Sequence, residues 1–160
     1  MKIYLAADHA GLALKDKIKT WLKGNDYEVE DCGAFEFDQR DDYPDFISRA
    51  AIAVSKDPES RGIVLGGSGQ GEAMVANRYQ NVRAAVFYGA VRPRAAIDAE
   101  GTESVDPLAM VKLPRAHENA NVLSLGARFL SDEEALQAVE VWLKTSFSGG
   151  ERHRRRIAKF

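Results

Sequence analysis

Gly62-Ile63-Val64-Leu65-Gly66-Gly67-Ser68-Gly69-Gln70-Gly71-Glu72 is the stretch on which the fold turns. Gly62 to Leu65 is a short β-branched run of strand character. Four glycines then fall within the six residues Gly66 to Gly71, and Glu72 opens a short helix. Such a density of glycine points to unusual φ values or to a backbone that approaches a ligand closely. A strand, a glycine turn and a helix in that order aim backbone N–H groups at an anion. No Gly-Lys-Ser/Thr follows, which excludes a Walker loop, and Glu72 stands where G-x-G-x-x-G would place its last glycine. The plain alternative is a tight strand-to-helix turn.

Outward from this unit the same alternation continues. Lys2 to Ala7 reads as a buried strand, and Leu14, Ile18, Trp21 and Leu22 form the stripe of a helix ending at Gly24. Tyr27 to Asp31 reads as a strand. Pro44 suits a first helical position, with Phe46, Ala50 and Val54 as the stripe behind it. Val82 to Phe87 and Asn121 to Leu125 read as two further strands. Ser131 with Glu134 is a capping-box pair opening a helix with Ala135, Val139, Trp142 and Leu143 inward. A basic helix follows Ser148-Gly149-Gly150. Alternating strands and helices predict an α/β fold: a Rossmann-like three-layer sandwich on a mostly parallel five-stranded sheet. The span 1–160 is expected to be a single domain. The least regular part runs from Ala90 to Arg115, and an excursion from the sheet is expected around residues 100–114.

Composition sets the outer bounds. The 160 residues are 45% hydrophobic and 29% charged, as in globular proteins. A net charge of −2 gives no general pull toward nucleic acid or membrane, and neither is expected as a partner. The single cysteine, Cys32, excludes an internal disulfide, fits a reducing compartment and reads as a structural thiol. The start of the chain runs straight into the strand-like Ile3-Tyr4-Leu5-Ala6, with no signal-peptide or membrane-spanning pattern, so a cytoplasmic protein is expected.

In open parallel sheets, ligands bind at the carboxyl ends of the strands. The residues there are Asp8 and His9 after the first strand, the glycine turn after the third, and Gly126 to Arg128 after the fifth, with His117 on the approach to it. Asp8-His9 reads equally as a helix cap, and His117 as a solvated loop residue. Glu72 alone is dipole-favourable surface in a first helical turn. Beside backbone donors it acquires another role, since a carboxylate there can take a proton from carbon while the N–H groups hold the oxyanion that forms. Arg152, His153 and Arg156 share one helix face, either as a solvated basic surface or as a phosphate clamp.

Taken together, these motifs resemble the family of ribose-5-phosphate isomerase B and the galactose-6-phosphate isomerase subunits. The resemblance rests on Asp8-His9-Ala10-Gly11, Asp42-Tyr43-Pro44-Asp45, Gly66 to Glu72, Asn121-Val122-Leu123 with Gly126-Ala127-Arg128, and Gly149-Gly150-Glu151-Arg152-His153, in that order. It implies an aldose–ketose isomerase acting on a small sugar phosphate, without metal or organic cofactor, working as a homodimer or tetramer with active sites shared between subunits. By that resemblance, ribose 5-phosphate is the first substrate and a six-carbon aldose phosphate the alternative. Asp8 and His117 would assist ring opening. His9, Gly67, Gly69, Gln70, Gly71 and Glu118 would contact the sugar, with Ser68 and the turn holding the enediolate. His9, Arg128, Arg152 and Arg156 would take the phosphate.

Two departures shape this reading. Many family members carry a cysteine base where this chain has Gly66, and a subgroup places a glutamate where Glu72 stands, which moves the base role to Glu72. His117 is usually followed by asparagine, whereas Glu118 follows it here and only accepts hydrogen bonds when ionised. A non-catalytic sugar-phosphate sensor on the same scaffold is the rival reading. A receiver-type signalling domain is excluded, because the third strand ends in Gly66-Gly67 and not in a phosphorylatable aspartate.

Overall fold

The computed structural model describes residues 1–160. Elements follow in the order β1 (Lys2–Ala7), α1 (Leu12–Gly24), β2 (Glu28–Asp31), α2 (Tyr43–Lys56), β3 (Arg61–Gly66), α3 (Gln70–Ala76), β4 (Ala84–Phe87), α4 (Ala109–Glu118), β5 (Val122–Gly126), α5 (Asp132–Lys144) and α6 (Glu151–Ile157). The five strands form one sheet in the order β2-β1-β3-β5-β4, and every neighbouring pair is parallel.

The sheet is covered on both faces because strand side chains alternate. Ile3, Leu5, Ala7, Ile63, Leu65, Leu123 and Leu125 point one way, into a core completed by Leu14, Ile18 and Leu22 of α1, Val111 of α4, and Val139 and Trp142 of α5. Tyr4, Ala6, Val64 and Val122 point the other way, against Ile47, Ala50, Ala51 and Val54 of α2 and Ala76 of α3. This is the three-layer sandwich that the alternation predicts. Cys32 belongs to the second core, where burial pushes its thiol up to about 11, in keeping with a structural role.

Register aligns the carboxyl ends. Ala7 pairs with Leu65, and Gly66 pairs with Gly126, so Asp8, Gly67 and Ala127 emerge along one edge of the sheet. The chain leaves β1 toward β2 on one side and later adds β3 on the other, which makes β1/β3 the switch point where such sheets open a crevice.

Local chemistry accounts for most element ends. The capping box is present: the Ser131 N–H donates to Glu134 Oε2 at 2.8 Å, and the Glu134 N–H donates to Ser131 Oγ at 3.2 Å. β4 begins later than the apolar run suggests, since the Arg83 N–H is taken by the Asn121 side chain at 2.7 Å. The irregular reading of the segment up to Arg115 is corrected at its end, where Ala109–Glu118 is one helix with Pro114 inside it. Proline there removes a helical donor. Burial of Ala109, Val111 and Arg115 outweighs that loss, and the helix closes at left-handed Asn119 with the Ala120 N–H on the Pro114 carbonyl at 2.9 Å. Residues 88–108 hold no strand or helix. No helix is long and apolar enough to cross a membrane.

Candidate active site

The glycine turn is fixed from below by the strand beside it. The Ala127 N–H donates to the Gly66 carbonyl at 2.8 Å, the Arg128 N–H to the Gly67 carbonyl at 3.1 Å, and Ser124 Oγ–H to the Gly69 carbonyl at 2.6 Å. Gly69 caps α3 in the left-handed region (φ 76°), where a Cβ would also meet the backbone of Leu125 and Gly126. The carbonyls of the turn are thereby held toward β5. The N–H groups of Gly67 and Ser68 donate to no backbone carbonyl, and those of the first turn of α3 are free of helical partners. Ser68 Oγ accepts the Gln70 N–H at 3.3 Å.

A cleft of about 340 Å³ opens over this turn, bordered by Asp8, His9, Tyr43, Gly67, Ser68, Gly71, Glu72, Arg128 and Phe129. Glu72 is only 4% exposed. Burial raises its pKa above the ordinary 4.5, the negative charge of Asp8 adds to that, and the N–H groups of Glu72 and Gly69 pull the other way. Asp8 is buried too, and its Oδ1 accepts the N–H groups of Ala10 at 3.0 Å and Gly11 at 3.2 Å. The Arg128 guanidinium lies over Gly67, where a Cβ would come within 3.2 Å of it. Tyr43 closes over Gly71 in the same manner, at 2.8 Å.

His9 is held in place by Asp41. Its Nδ1 lies 2.5 Å from Asp41 Oδ1, and its backbone N–H donates to Oδ2 at 2.9 Å. The hydrogen bond to this carboxylate holds the His9 imidazole above its ordinary pKa, so it carries more positive charge near neutral pH. Its ring also meets the edge of Phe37, with centroids 5.9 Å apart.

The remaining sequence-predicted residues lie elsewhere on the chain. His117, Arg152 and Arg156 border a second cavity of about 700 Å³, together with His153, Ser148 and the segment Ala96–Glu100. His117 stands in the last turn of α4, and its ring stacks on that of His153 at 4.3 Å. Buried Arg115 fixes that helix end by donating to Asn119 Oδ1 at 2.8 Å and to the Ala120 carbonyl at 2.7 Å. Glu118 is exposed and borders the neighbouring groove with Tyr79 and Phe160. The Gln70 side chain is exposed and does not border the cleft.

The predicted residues therefore fall into two separate cavities, one around Glu72 and one around His117. Sequence reasoning passed over Asp41, Tyr43, Phe129 and Arg115 as site residues, and placed His153 only on the basic face of the last helix. Tyr43 was visible only as part of the Asp42-Tyr43-Pro44-Asp45 motif. Asp41 pairs with a residue 32 positions away, a relation that no local pattern reveals.

Fold and clefts define an α/β protein of Rossmann-like architecture with a candidate ligand site at the carboxyl ends of its strands. The chain belongs to the Ribose/Galactose Isomerase family, which it matches over residues 3–100 and 104–160. It is 41% identical over 157 residues to ribose-5-phosphate isomerase B of Mycobacterium tuberculosis, covering 98% of this chain and 86% of that protein. Its structure is similar to that of ribose-5-phosphate isomerase B from Mycoplasma genitalium with bound ribulose-5-phosphate, with a TM-score of 0.85, 38% identity, and coverage of 99% and 92% of the two chains. The Clostridium thermocellum ribose-5-phosphate isomerase B matches with a TM-score of 0.83 at 37% identity, over 99% and 94%.

Proposed function

We propose that this protein is an aldose–ketose isomerase that interconverts ribose 5-phosphate and ribulose 5-phosphate, with Glu72 as the base that moves the proton between C2 and C1. The observation that carries this reading is the placement of Glu72. Its carboxylate is buried beside a turn in which the Gly67 and Ser68 N–H groups donate to no backbone carbonyl, with its affinity for a proton raised by that burial.

Asp8 and His117 assist opening of the sugar ring. Glu72 then takes the C2 proton, and the electron pair left on carbon forms the C1–C2 double bond. The C1 carbonyl oxygen receives the displaced pair and becomes an oxyanion, held by the N–H groups of residues 67 to 71 and by the Ser68 hydroxyl. A proton from solvent at that oxygen gives the cis-enediol. As Glu72 returns its proton to C1, the C2 hydroxyl releases its proton to solvent and C2 becomes the carbonyl. One such oxyanion donor is typically worth about 100- to 1,000-fold in rate. His9, Arg128, Arg152 and Arg156 hold the phosphate, so that binding energy remote from the reacting carbons orients the substrate.

Glu72 and the pair His117/Arg156 border different cavities of one chain. We infer that a complete site forms between two copies in a homodimer or tetramer, one offering the Glu72 cleft and its neighbour the basic cavity. In this reading the chain is a single domain of metabolic rather than signalling character, working in the cytoplasm on a pentose-phosphate substrate.

Isomerisation in deuterated water tests the assignment. Deuterium is expected at C1 of the ketose and C2 of the aldose. A sugar phosphate that binds and is neither isomerised nor labelled establishes a sensor instead.

A further inference from the structure

The two helices that frame the basic cavity are unequally anchored. α4 brings His117 and buries Ala109, Val111 and Arg115. α6 brings Arg152, His153 and Arg156, and none of its residues is buried. A short helix without a buried face draws little of its position from packing. Its place comes from the connector 145–150 before it and from contacts with α4, among them the stacking of His153 on His117.

Arg115 joins that connector to the end of α4. It is 5% exposed and lies over the Trp142 ring, with its guanidinium carbon 6.0 Å from the centroid. Toward the end of α4, its Nη1 donates to Asn119 Oδ1 at 2.8 Å and to the Ala120 carbonyl at 2.7 Å. Toward the connector, its Nε donates to the carbonyl of Thr145, the C-cap of α5, at 3.4 Å. A second tie runs beside it, since the Ser148 N–H donates to the Ala116 carbonyl at 2.9 Å. Burial lowers the Arg115 pKa to about 10, and the charges of Arg61 and Arg83 add to that, so the guanidinium stays charged at neutral pH. Its acceptors are one side-chain amide and two backbone carbonyls, with no carboxylate among them. A planar fork with fixed donor directions serves such a set, and an ammonium does not reproduce it.

We propose that Arg115 is a positioning residue for the isomerisation: by bridging the end of α4 to the connector before α6, it sets His117 at its working distance from the Arg152/Arg156 clamp. This role rests on those proposed above for His117 and the two arginines. Arg115 borders neither cavity, so it acts through the groups it holds. An acid and a phosphate clamp that grip one substrate depend on their spacing, and a misplacement of about 1 Å costs on the order of 100-fold in rate.

The two sugars separate this role from a merely structural one. Ribose 5-phosphate closes to a furanose, whereas ribulose 5-phosphate has no free hydroxyl placed to form a stable ring and stays open. Turnover of the first calls on His117. Exchange of the C1 hydrogen of the second with deuterated water calls on Glu72 and the glycine turn. Both rates are measured at saturation on full-length wild type, Arg115→Lys, Arg115→Met and Asn119→Gly. In both Arg115 variants KM for each sugar should rise, and ribose 5-phosphate turnover should fall by about 100-fold while C1 exchange falls by less than about tenfold. Asn119→Gly removes one acceptor and suits the left-handed φ of 50° there, so it should fold and show the same split at smaller size even if the Arg115 variants do not fold. Equal losses in the two rates overturn the proposal, as does full activity in Arg115→Lys. His117→Ala is the reference. If its two rates fall in proportion, His117 is not the ring-opening acid and the underlying reading fails; if it shows the split and the other variants do not, the positioning role alone fails.

Discussion

The Glu72 carboxylate fills the space that a side chain at residue 66 would need. A Cβ on Gly66 would lie within 2.8 Å of all three carboxyl atoms of Glu72. The two positions therefore exclude each other as sources of a base: a thiol at residue 66 and the glutamate at residue 72 cannot both occupy this pocket in the observed arrangement. The glycine admits the carboxylate.

Glu72→Gln is accordingly expected to lower kcat by at least about 100-fold, the scale of a lost general base, with sugar-phosphate affinity held within about tenfold. Gly66→Ala should displace the carboxylate and destabilise the fold by about 1–3 kcal/mol, as overpacking does. Steady-state kinetics and thermal unfolding read the two effects separately. Turnover of the wild-type size in Glu72→Gln would remove this residue from the chemistry.

The pH profile gives an independent check. Glu72 must be ionised to accept a proton, so kcat/KM should fall as pH drops through its pKa in the free enzyme. Burial raises that pKa and Asp8 adds to the rise, which puts the acid limb above the ordinary 4.5. Removing the Asp8 charge in Asp8→Asn should move the limb to lower pH even though overall activity falls. A limb that moves upward, or not at all, would mean that Asp8 does not act on Glu72 through its charge.

Glu72 and Arg156 border separate cavities of one chain, which gives the shared site its clearest test. Arg152→Ala and Arg156→Ala should each raise KM by about 10- to 150-fold, the range for a bond of about 1.5–3 kcal/mol to a charged group. Mixed after subunit exchange, inactive Glu72→Gln and weakened Arg156→Ala chains should regain about a quarter of wild-type activity. Half of randomly paired dimers are mixed, and each mixed dimer holds one intact and one doubly altered site. Mixtures no better than their parents would place the whole site within one chain.

Sequence patterning captured the sheet because its strands are short apolar runs buried on both faces, and captured α1 and α5 because their stripes and the Ser131–Glu134 box are local signals. It passed over the helix Ala109–Glu118 because Pro114 is a local stop signal, overridden by tertiary burial of Val111 and Arg115. In the site, Asp8, Ser68 and Glu72 were legible from their positions after strands. Asp41 was not, since it acts through contact with the distant His9, and His153 was legible only as part of a basic helix face and not through its stacking on His117.

The His9–Asp41 pair should leave a mark on stability as well as on phosphate binding. His9 has a raised pKa in the folded protein, so its pairing contributes fully below the ordinary 6.5 and is lost as pH rises through the folded value. The stability gap between wild type and Asp41→Asn should thus be wide below about pH 6.5 and narrow as pH rises through the raised His9 value. Urea unfolding across that range reads the gap directly. A gap that widens with pH would assign Asp41 a role other than pairing with the charged imidazole.

Substrate choice is expected to divide between Glu118 and the excursion before α4. The segment Ala96–Glu100 borders the cavity of His117, Arg152 and Arg156, which brings the carboxylates of Asp98 and Glu100 alongside the proposed phosphate clamp. Asp98 is tied into its own loop, accepting the N–H groups of Glu100 at 3.1 Å and Thr102 at 2.8 Å, so Glu100 is the cleaner probe. Negative charge there opposes every phosphorylated substrate alike. Glu100→Gln should lower KM for five- and six-carbon aldose phosphates together, with the gain shrinking as added salt screens the charge. Glu118, beside His117 and His153, repels a nearby phosphate by like charge and can serve the sugar only as an acceptor of its hydroxyls. A hydroxyl contact discriminates sharply, because a substrate lacking the group leaves the site unpaired. Glu118→Asn should therefore change the ranking of kcat/KM between the two sugar classes, while His117→Ala depresses all cyclic substrates in parallel. A ranking that stays fixed in Glu118→Asn and moves in Glu100→Gln would reverse the two roles.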